Sequence, residues 1–376
     1  MINAGIYIHI PFCEVKCMYC DFYSITGKKD MISRFIAAIT NEINNCDIDV
    51  SKWNFDTIFI GGGTPSLIKS IYIDSIIECL NKKFNITGVK EVTIEVNPGE
   101  APKKRLNDYK KIGINRISIG VQSFQPMLLK FLTRIHNKNQ IFNTYNDIRD
   151  AGFENVNCDL IYSIPKQTWS MWEDDLDNLF NLNPEHISAY TLTVEKGTDL
   201  FSMVSKNIVK MPKNSVEGEW FLNTRSILSA NGYHPYEVSN FSKTGYECLH
   251  NYHYWDIEPY LGFGPSAHAF DGKYRWNNSG SLEYYLKQVE NNKTPIANKE
   301  KLSLVDITNE LIGFGMRMKK GLDFSSLPNS LQKKYKKNIY KVIERYPNHF
   351  IQSKENISFT EQGLLNADFI IPTMMI

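Results

Sequence analysis

The sequence predicts an α/β fold: a partial (β/α)6, TIM-like barrel followed by a helical, winged-helix-like C-terminal domain. Three observations carry this expectation. Six short β-rich runs alternate with helical stretches over the first two-thirds of the chain. Several of those runs have one polar and one apolar face. After about Ser279 the pattern changes to helices with a small hairpin. The expected division is 1–240 for the barrel, 241–280 for a loop region closing it, and 281–376 for the terminal domain.

The predicted strands are Gly5–Ile10, Thr57–Ile60, Glu91–Val96, Arg116–Val121, Val156–Tyr162 and His186–Thr191. Helical stretches lie between them at Met31–Asn45, Tyr72–Phe84, Ala101–Ile112, Lys138–Ala151 and Trp172–Leu182. Successive strand residues point to opposite faces. That puts Tyr7 with His9, Thr93 with Glu95 and Asn97, Ser118 with Gly120 and Gln122, and Asn157 with Asp159. Helices cover the apolar face, so the polar face turns inward. A closed eight-strand barrel fills its centre with branched apolar side chains. A six-strand interior lined with Glu, Gln, Asp and Tyr implies a wider cavity for a polar ligand. Further on, helices are expected at Leu282–Glu290, Thr308–Met318 and Leu331–Arg345. The strands Phe350–Ile351 and Ile357–Phe359 follow, and Thr360–Gly363 opens a last helix.

Composition narrows the class. The chain has 376 residues, 42% hydrophobic and 22% charged, which suits a soluble globular protein. Lys plus Arg number 42 against 41 Asp plus Glu, so net charge argues for neither nucleic acid nor an anionic membrane. The run Lys333-Lys334-Tyr335-Lys336-Lys337 reads as a solvated helix face. No basic-then-apolar signal segment opens the sequence, and no apolar run is long enough to span a bilayer. Seven cysteines, three of them clustered, point to a reducing compartment and a metal site. The expectation is a cytoplasmic protein.

The cluster is Cys13, Cys17 and Cys20, a C-x3-C-x2-C spacing directly after the first strand. Three thiolates this close can hold three irons of a four-iron, four-sulfur cluster and leave one iron open to a ligand. Competing readings are zinc with His9 as fourth ligand, and three unrelated buried thiols. The second strand ends in Gly61-Gly62-Gly63-Thr64-Pro65, where glycines let a ligand approach the backbone.

The cysteine octet resembles the motif of the radical S-adenosylmethionine (SAM) superfamily, and the glycine triplet resembles its SAM-binding turn. The resemblance narrows to the subfamily of oxygen-independent coproporphyrinogen III dehydrogenases and HemW-type haem chaperones. It rests on Tyr7–Cys13, Gly61–Ser66, Glu95–Pro98, Gly120–Phe124, Arg134 and Asp159–Thr168. It implies a radical SAM barrel with a [4Fe-4S] cluster on Cys13, Cys17 and Cys20. SAM would be contacted by Tyr7, Gly62, Gly63, Thr64, Glu95, Gln122, Arg134 and Asp159. The dehydrogenase pattern has a further cysteine two residues after the third, where this chain has Phe22. The string His250-Asn251-Tyr252-His253-Tyr254-Trp255 matches the H-N-x-x-Y-W motif of the haem-chaperone branch. The resemblance therefore implies haem bound at His250, near Asn251, Tyr254 and Trp255, with Cys248 and His253 as alternative ligands. It also implies delivery of haem to an apo-haemoprotein, for example of the respiratory chain. Homodimerisation and transient membrane association rest on the resemblance alone. The alternative it leaves open is radical decarboxylation of coproporphyrinogen III to protoporphyrinogen IX.

Overall fold

The computed structural model describes residues 1–376. Six parallel strands form the centre: β1 (Ile2–Ile10), β2 (Trp53–Gly62), β3 (Glu91–Val96), β4 (Arg116–Gln122), β5 (Asn155–Tyr162) and β6 (His186–Thr191), paired in sequence order. The first six helices are α1 (Ile32–Asn44), α2 (Ser70–Lys83), α3 (Lys103–Lys111), α4 (Pro126–Phe131), α5 (Lys138–Asp150) and α6 (Trp169–Leu182). They supply the crossovers that parallel pairing requires. The sheet does not close. The outer neighbour of β1 is β9 (Tyr260–Phe263), and that of β6 is β8 (Asn240–Ser242), which pairs with β7 (His234–Pro235).

The period-two reading of the strands holds. In β4, Ile117, Ile119 and Val121 are buried in the core, while Ser118, Gly120 and Gln122 line a central cavity. In β5, Val156, Cys158 and Leu160 lie in the core, while Asn157 and Asp159 face the cavity.

After β6 come α7 (Asp199–Ser205), α8 (Asn214–Ala230) and α9 (Leu249–Trp255). The expected loop at the H-N-x-x-Y-W string is therefore a helix. Three antiparallel strands extend the sheet beyond β9: β10 (His268–Phe270), β11 (Tyr274–Asn278) and β12 (Ile296–Lys301). Between β11 and β12 runs α10 (Leu282–Glu290), whose Leu282, Tyr285, Leu286 and Val289 belong to the barrel's core. Thus α10 packs in the barrel's core, and β12 is the edge strand of the large sheet.

A second core begins with α11 (Leu304–Gly315). It adds β13 (Leu322–Asp323), α12 (Asn329–Arg345), β14 (Phe350–Gln352), β15 (Asn356–Phe359), α13 (Glu361–Leu365) and α14 (Ala367–Met374). Its strands form a three-stranded antiparallel sheet in the order β13-β15-β14. In α12, Tyr335 is fully buried in this core, while Lys333, Lys334 and Lys337 are exposed. The unit is tied to the barrel by the buried Arg225 of α8, which pairs with Glu361, and by the edge-on contact of Trp255 with Phe314. No helix is long and apolar enough to cross a membrane.

Candidate functional site

The cysteine loop leaves the C-terminal end of β1, where parallel barrels place their chemistry. The backbone holds it there. Cys13 N donates to Ile25 O (2.8 Å) and Ile25 N to Pro11 O (2.7 Å). The glycine turn after β2 grips the same segment, with Gly63 N on Ile10 O (2.7 Å) and Thr64 N on Phe12 O (2.8 Å). A Cβ on Gly63 would stand 2.8 Å from Phe12 O and 3.0 Å from Cys13 Sγ. Only glycine fits against the cysteine loop at this point. On the far side, Leu200 N at the start of α7 donates to Met18 O (2.9 Å).

All three thiols line one cavity of about 610 Å³, within the roughly 300–1,000 Å³ range of ligand sites. Cys13 Sγ accepts from Thr64 Oγ1 (3.5 Å) and Cys17 Sγ from Arg134 Nη1 (3.5 Å). Burial pushes the Cys20 thiol up to about 11, and the neighbouring cysteines add to the shift. Iron ligation must therefore displace its proton. The zinc reading loses its fourth ligand. His9 Nε2 donates to Tyr23 O (2.8 Å) and its Nδ1 accepts from Tyr7 Oη (3.0 Å), so neither nitrogen is free.

The predicted SAM residues converge on that cavity: Gly62, Gly63, Thr64, Glu95, Gln122, Arg134 and Asp159 all line it. Gly62 N donates to Glu95 Oε2 (3.1 Å). Burial, then the nearby Asp159 charge, pushes the Glu95 carboxyl up to about 8. Asp159 accepts from Asn157 Nδ2 (2.7 Å) and Ser118 Oγ (3.1 Å), and burial raises it too. Two carboxyls that resist ionising together suit a ligand bearing a cation or several hydroxyls. Arg134 is clamped by Asn97 Oδ1 (2.5 Å) and Gly120 O (2.8 Å), which aims its fork at the cysteine loop. Gln122 sits at φ 67°, a left-handed conformation unusual outside glycine, at a bulge in the β4–β5 pairing. Tyr7 stands apart, in a second cavity of about 450 Å³.

That second cavity adjoins the first. The two share Asp21, Phe22, Phe59, Gly62, Glu95 and Asn251. Its wall is aromatic, with Tyr7, Phe22, Tyr23, Phe59, Tyr254 and Tyr260, and carries three imidazoles, His9, His250 and His268. Phe22, at the wall the two cavities share, is 63% exposed.

Helix α9 spans the opposite end of the barrel from the cysteine loop. Its first turn is capped by Glu91, the first residue of β3, which accepts from Leu249 N (3.0 Å) and His250 N (3.1 Å). His250 is 1% exposed and bonded at both nitrogens, Nδ1 to Thr57 Oγ1 (2.8 Å) and Nε2 to Tyr254 Oη (2.9 Å). His253 lies between Asp56 (2.8 Å) and Glu258 (2.7 Å). Burial alone would lower it, but the two carboxylates push it up to about 9, so it is an imidazolium. Asn251 and Tyr254 reach the second cavity, whereas Trp255 packs on Phe314. Cys248 is buried, 3.4 Å from Glu91. Sequence reasoning gave no role to Asn97, although it directly follows β3 and continues the alternation of Thr93 and Glu95. Arg116 was missed as well. It is 2% exposed, lines the floor of the first cavity and faces Glu91 at 4.0 Å.

A cysteine loop and a glycine turn at the mouth of an open, polar-lined (β/α)6 barrel define a radical SAM scaffold. The model of the radical SAM superfamily matches residues 7–179. The chain is 31% identical over 361 residues to heme chaperone HemW of Lactococcus lactis, covering 95% of this chain and 93% of that protein. It is 32% identical over 317 residues to heme chaperone HemW of Bacillus subtilis, covering 84% of each. Its fold is similar to that of Escherichia coli coproporphyrinogen III oxidase (HemN), with a TM-score of 0.85 over 100% of this chain and 90% of the other at 22% identity. The chain belongs to the HemW family of the radical SAM superfamily.

Membership carries the superfamily's cofactors, a [4Fe-4S] cluster and SAM. The residues present fit both. Three thiols share one loop against a turn that tolerates no Cβ, and all three line the cavity that Gly62, Gly63, Thr64 and Arg134 also line.

Proposed function

We propose that this chain is a haem carrier that binds a [4Fe-4S] cluster, SAM and one haem, and hands the haem to an apo-haemoprotein. The observation that carries the reading is the second cavity, aromatic-walled and lined with imidazoles, beside the cysteine loop. Flat aromatic side chains suit the faces of a porphyrin, and histidine is a common haem ligand. Full-length similarity to proteins named heme chaperone supports it.

In this reading Cys13, Cys17 and Cys20 hold the cluster, which when bound offers SAM an open iron. Gly62, Gly63 and Thr64 present backbone to SAM. Glu95 and Asp159 take its hydroxyls or ammonium, Gln122 adds a polar contact, and the clamped Arg134 pairs a carboxylate. Tyr7, held by His9, lies on the haem side of the shared wall. His250, Asn251 and Tyr254 supply the far wall of the haem cavity, and Trp255 ties that wall to the C-terminal unit.

The test is a hemin titration of anaerobically reconstituted protein, followed by incubation with an apo-haemoprotein. Near one-to-one binding and recovery of the acceptor's spectrum are expected. Failure of the loaded protein to reconstitute any acceptor refutes the carrier reading.

The second reading, radical decarboxylation of coproporphyrinogen III, is favoured by the first cavity, which all the expected SAM residues except Tyr7 line. Phe22, in the place of the further cysteine, argues against it. It predicts protoporphyrinogen IX and 5′-deoxyadenosine under anaerobic reduction, and it fails if neither forms.

A further inference from the structure

Three imidazoles line the second cavity, and their surroundings differ. His9 spends both nitrogens on Tyr7 and Tyr23. His250 spends both on Thr57 and Tyr254 and is 1% exposed. Turning His250 toward an iron would strip Thr57 Oγ1 and Tyr254 Oη of their partner inside the protein, and buried polar groups are seldom left unpaired. It would also break the stack of His250 on Phe59, whose centroids are 5.3 Å apart. His268 is different. It lines the cavity from the first position of β10, and its ring engages no hydrogen-bond partner.

The backbone under His268 is well anchored. His268 pairs with Asn277 of β11, and the next two residues, Ala269 and Phe270, are buried at 0% and 1% exposure. A ligand on a strand holds its position better than one on a loop. The tight approach of β9 supports the same placement. A Cβ on Gly262 would lie 1.9 Å from His268 O, so the two strands touch backbone to backbone.

We propose that His268, rather than His250 of the H-N-x-x-Y-W string, is the axial ligand of haem in the second cavity. The proposal rests on the carrier reading above and names its iron ligand. Tyr7, Phe59, Tyr254 and Tyr260 flank the porphyrin, with Phe22 at the wall shared with the cysteine loop. His250 acts as a positioning residue, stacked on Phe59 and bonded to Tyr254. One protein ligand leaves the sixth iron position open. Transfer is then ligand exchange without change of oxidation state: a donor from the acceptor binds the open position, and the bond from iron to the His268 nitrogen breaks.

The experiment is a hemin titration of the reconstituted full chain, comparing wild type, His268→Gly and His250→Phe, read by Soret absorbance and resonance Raman. Wild type is expected to show a histidine–iron stretch in the ferrous state. His268→Gly should lose that band and bind hemin about tenfold or more weakly, and added imidazole should restore the band. His250→Phe, which disturbs the cavity wall, should weaken hemin binding but keep the band. An unchanged band in His268→Gly, or a loss that imidazole does not restore, overturns the assignment while leaving the carrier reading intact. No hemin binding by wild type overturns both.

Discussion

Replacing Glu91 by Gln tests how the motif helix is held under the barrel. Glu91 is 4% exposed and serves two elements, the start of α9 and the buried Arg116. It accepts from Leu249 N and His250 N, which the N-cap Cys248 leaves uncapped, and it is the counter-charge nearest the buried Arg116. Glutamine keeps one acceptor oxygen, so one amide loses a bond to a charged group, worth about 1.5–3 kcal/mol. Arg116 loses its partner, and removing one member of a buried pair costs about 3–5 kcal/mol. These terms overlap, so the expected loss is about 3–5 kcal/mol, a large part of the roughly 5–15 kcal/mol that holds a domain folded. With an unfolding entropy of about 2.1 cal/mol/K per residue over 376 residues, Tm should fall by roughly 4–6 °C. Calorimetry measures it, and amide exchange over residues 249–255 localises it. In the double variant Glu91→Gln with Arg116→Gln, the losses should fall short of additive. A single variant that melts within about 1 °C of wild type, with unchanged exchange at α9, refutes the argument.

Gly63→Ala should lower the iron and sulfide content of reconstituted protein and leave its far-ultraviolet circular dichroism unchanged, because the added Cβ meets backbone at Phe12 and the Cys13 sulfur; full cluster content in the variant sinks this reading. Glu95 carries a pH prediction. Its folded-state value of about 8 lies above that of an exposed carboxylate. The unliganded protein therefore holds that proton after the unfolded chain has lost it, and the contribution of Glu95 to stability falls as pH rises from about 4.3 toward 8. A hydrogen-bond donor or cation from SAM favours the ionised form. SAM binding should release a proton at pH 7 and tighten as pH rises toward 8. Calorimetric titration in two buffers of different ionisation enthalpy measures the release, and Glu95→Gln should abolish it.

Local signals marked much of the site. The bounds of β3 and β6 match the expected runs residue for residue, and α10 does as well, because alternation and helical spacing are properties of a few neighbouring residues. The inward polar set of β3, β4 and β5 followed from the same alternation. The helix at 249–255 was read as a loop because its stabilising cap comes from Glu91, more than 150 residues earlier in the chain. The extension β9–β12 was missed because β9 and β10 are only four and three residues long and β9 joins the barrel through β1, far away in sequence.

The cysteine spacing, the glycine turn, the inward face of each central strand and Phe22 in place of a cysteine are legible in residue order alone. These depend on residue type and on the fixed geometry of the strand and the turn. Tertiary structure decided which groups are free to act. Both nitrogens of His9 and His250 are committed to partners elsewhere in the chain, while His268 is left open toward the second cavity. A one-dimensional pattern places a histidine on a strand or helix. Only the folded chain determines whether a second hydrogen-bonding group stands within 3 Å of its ring.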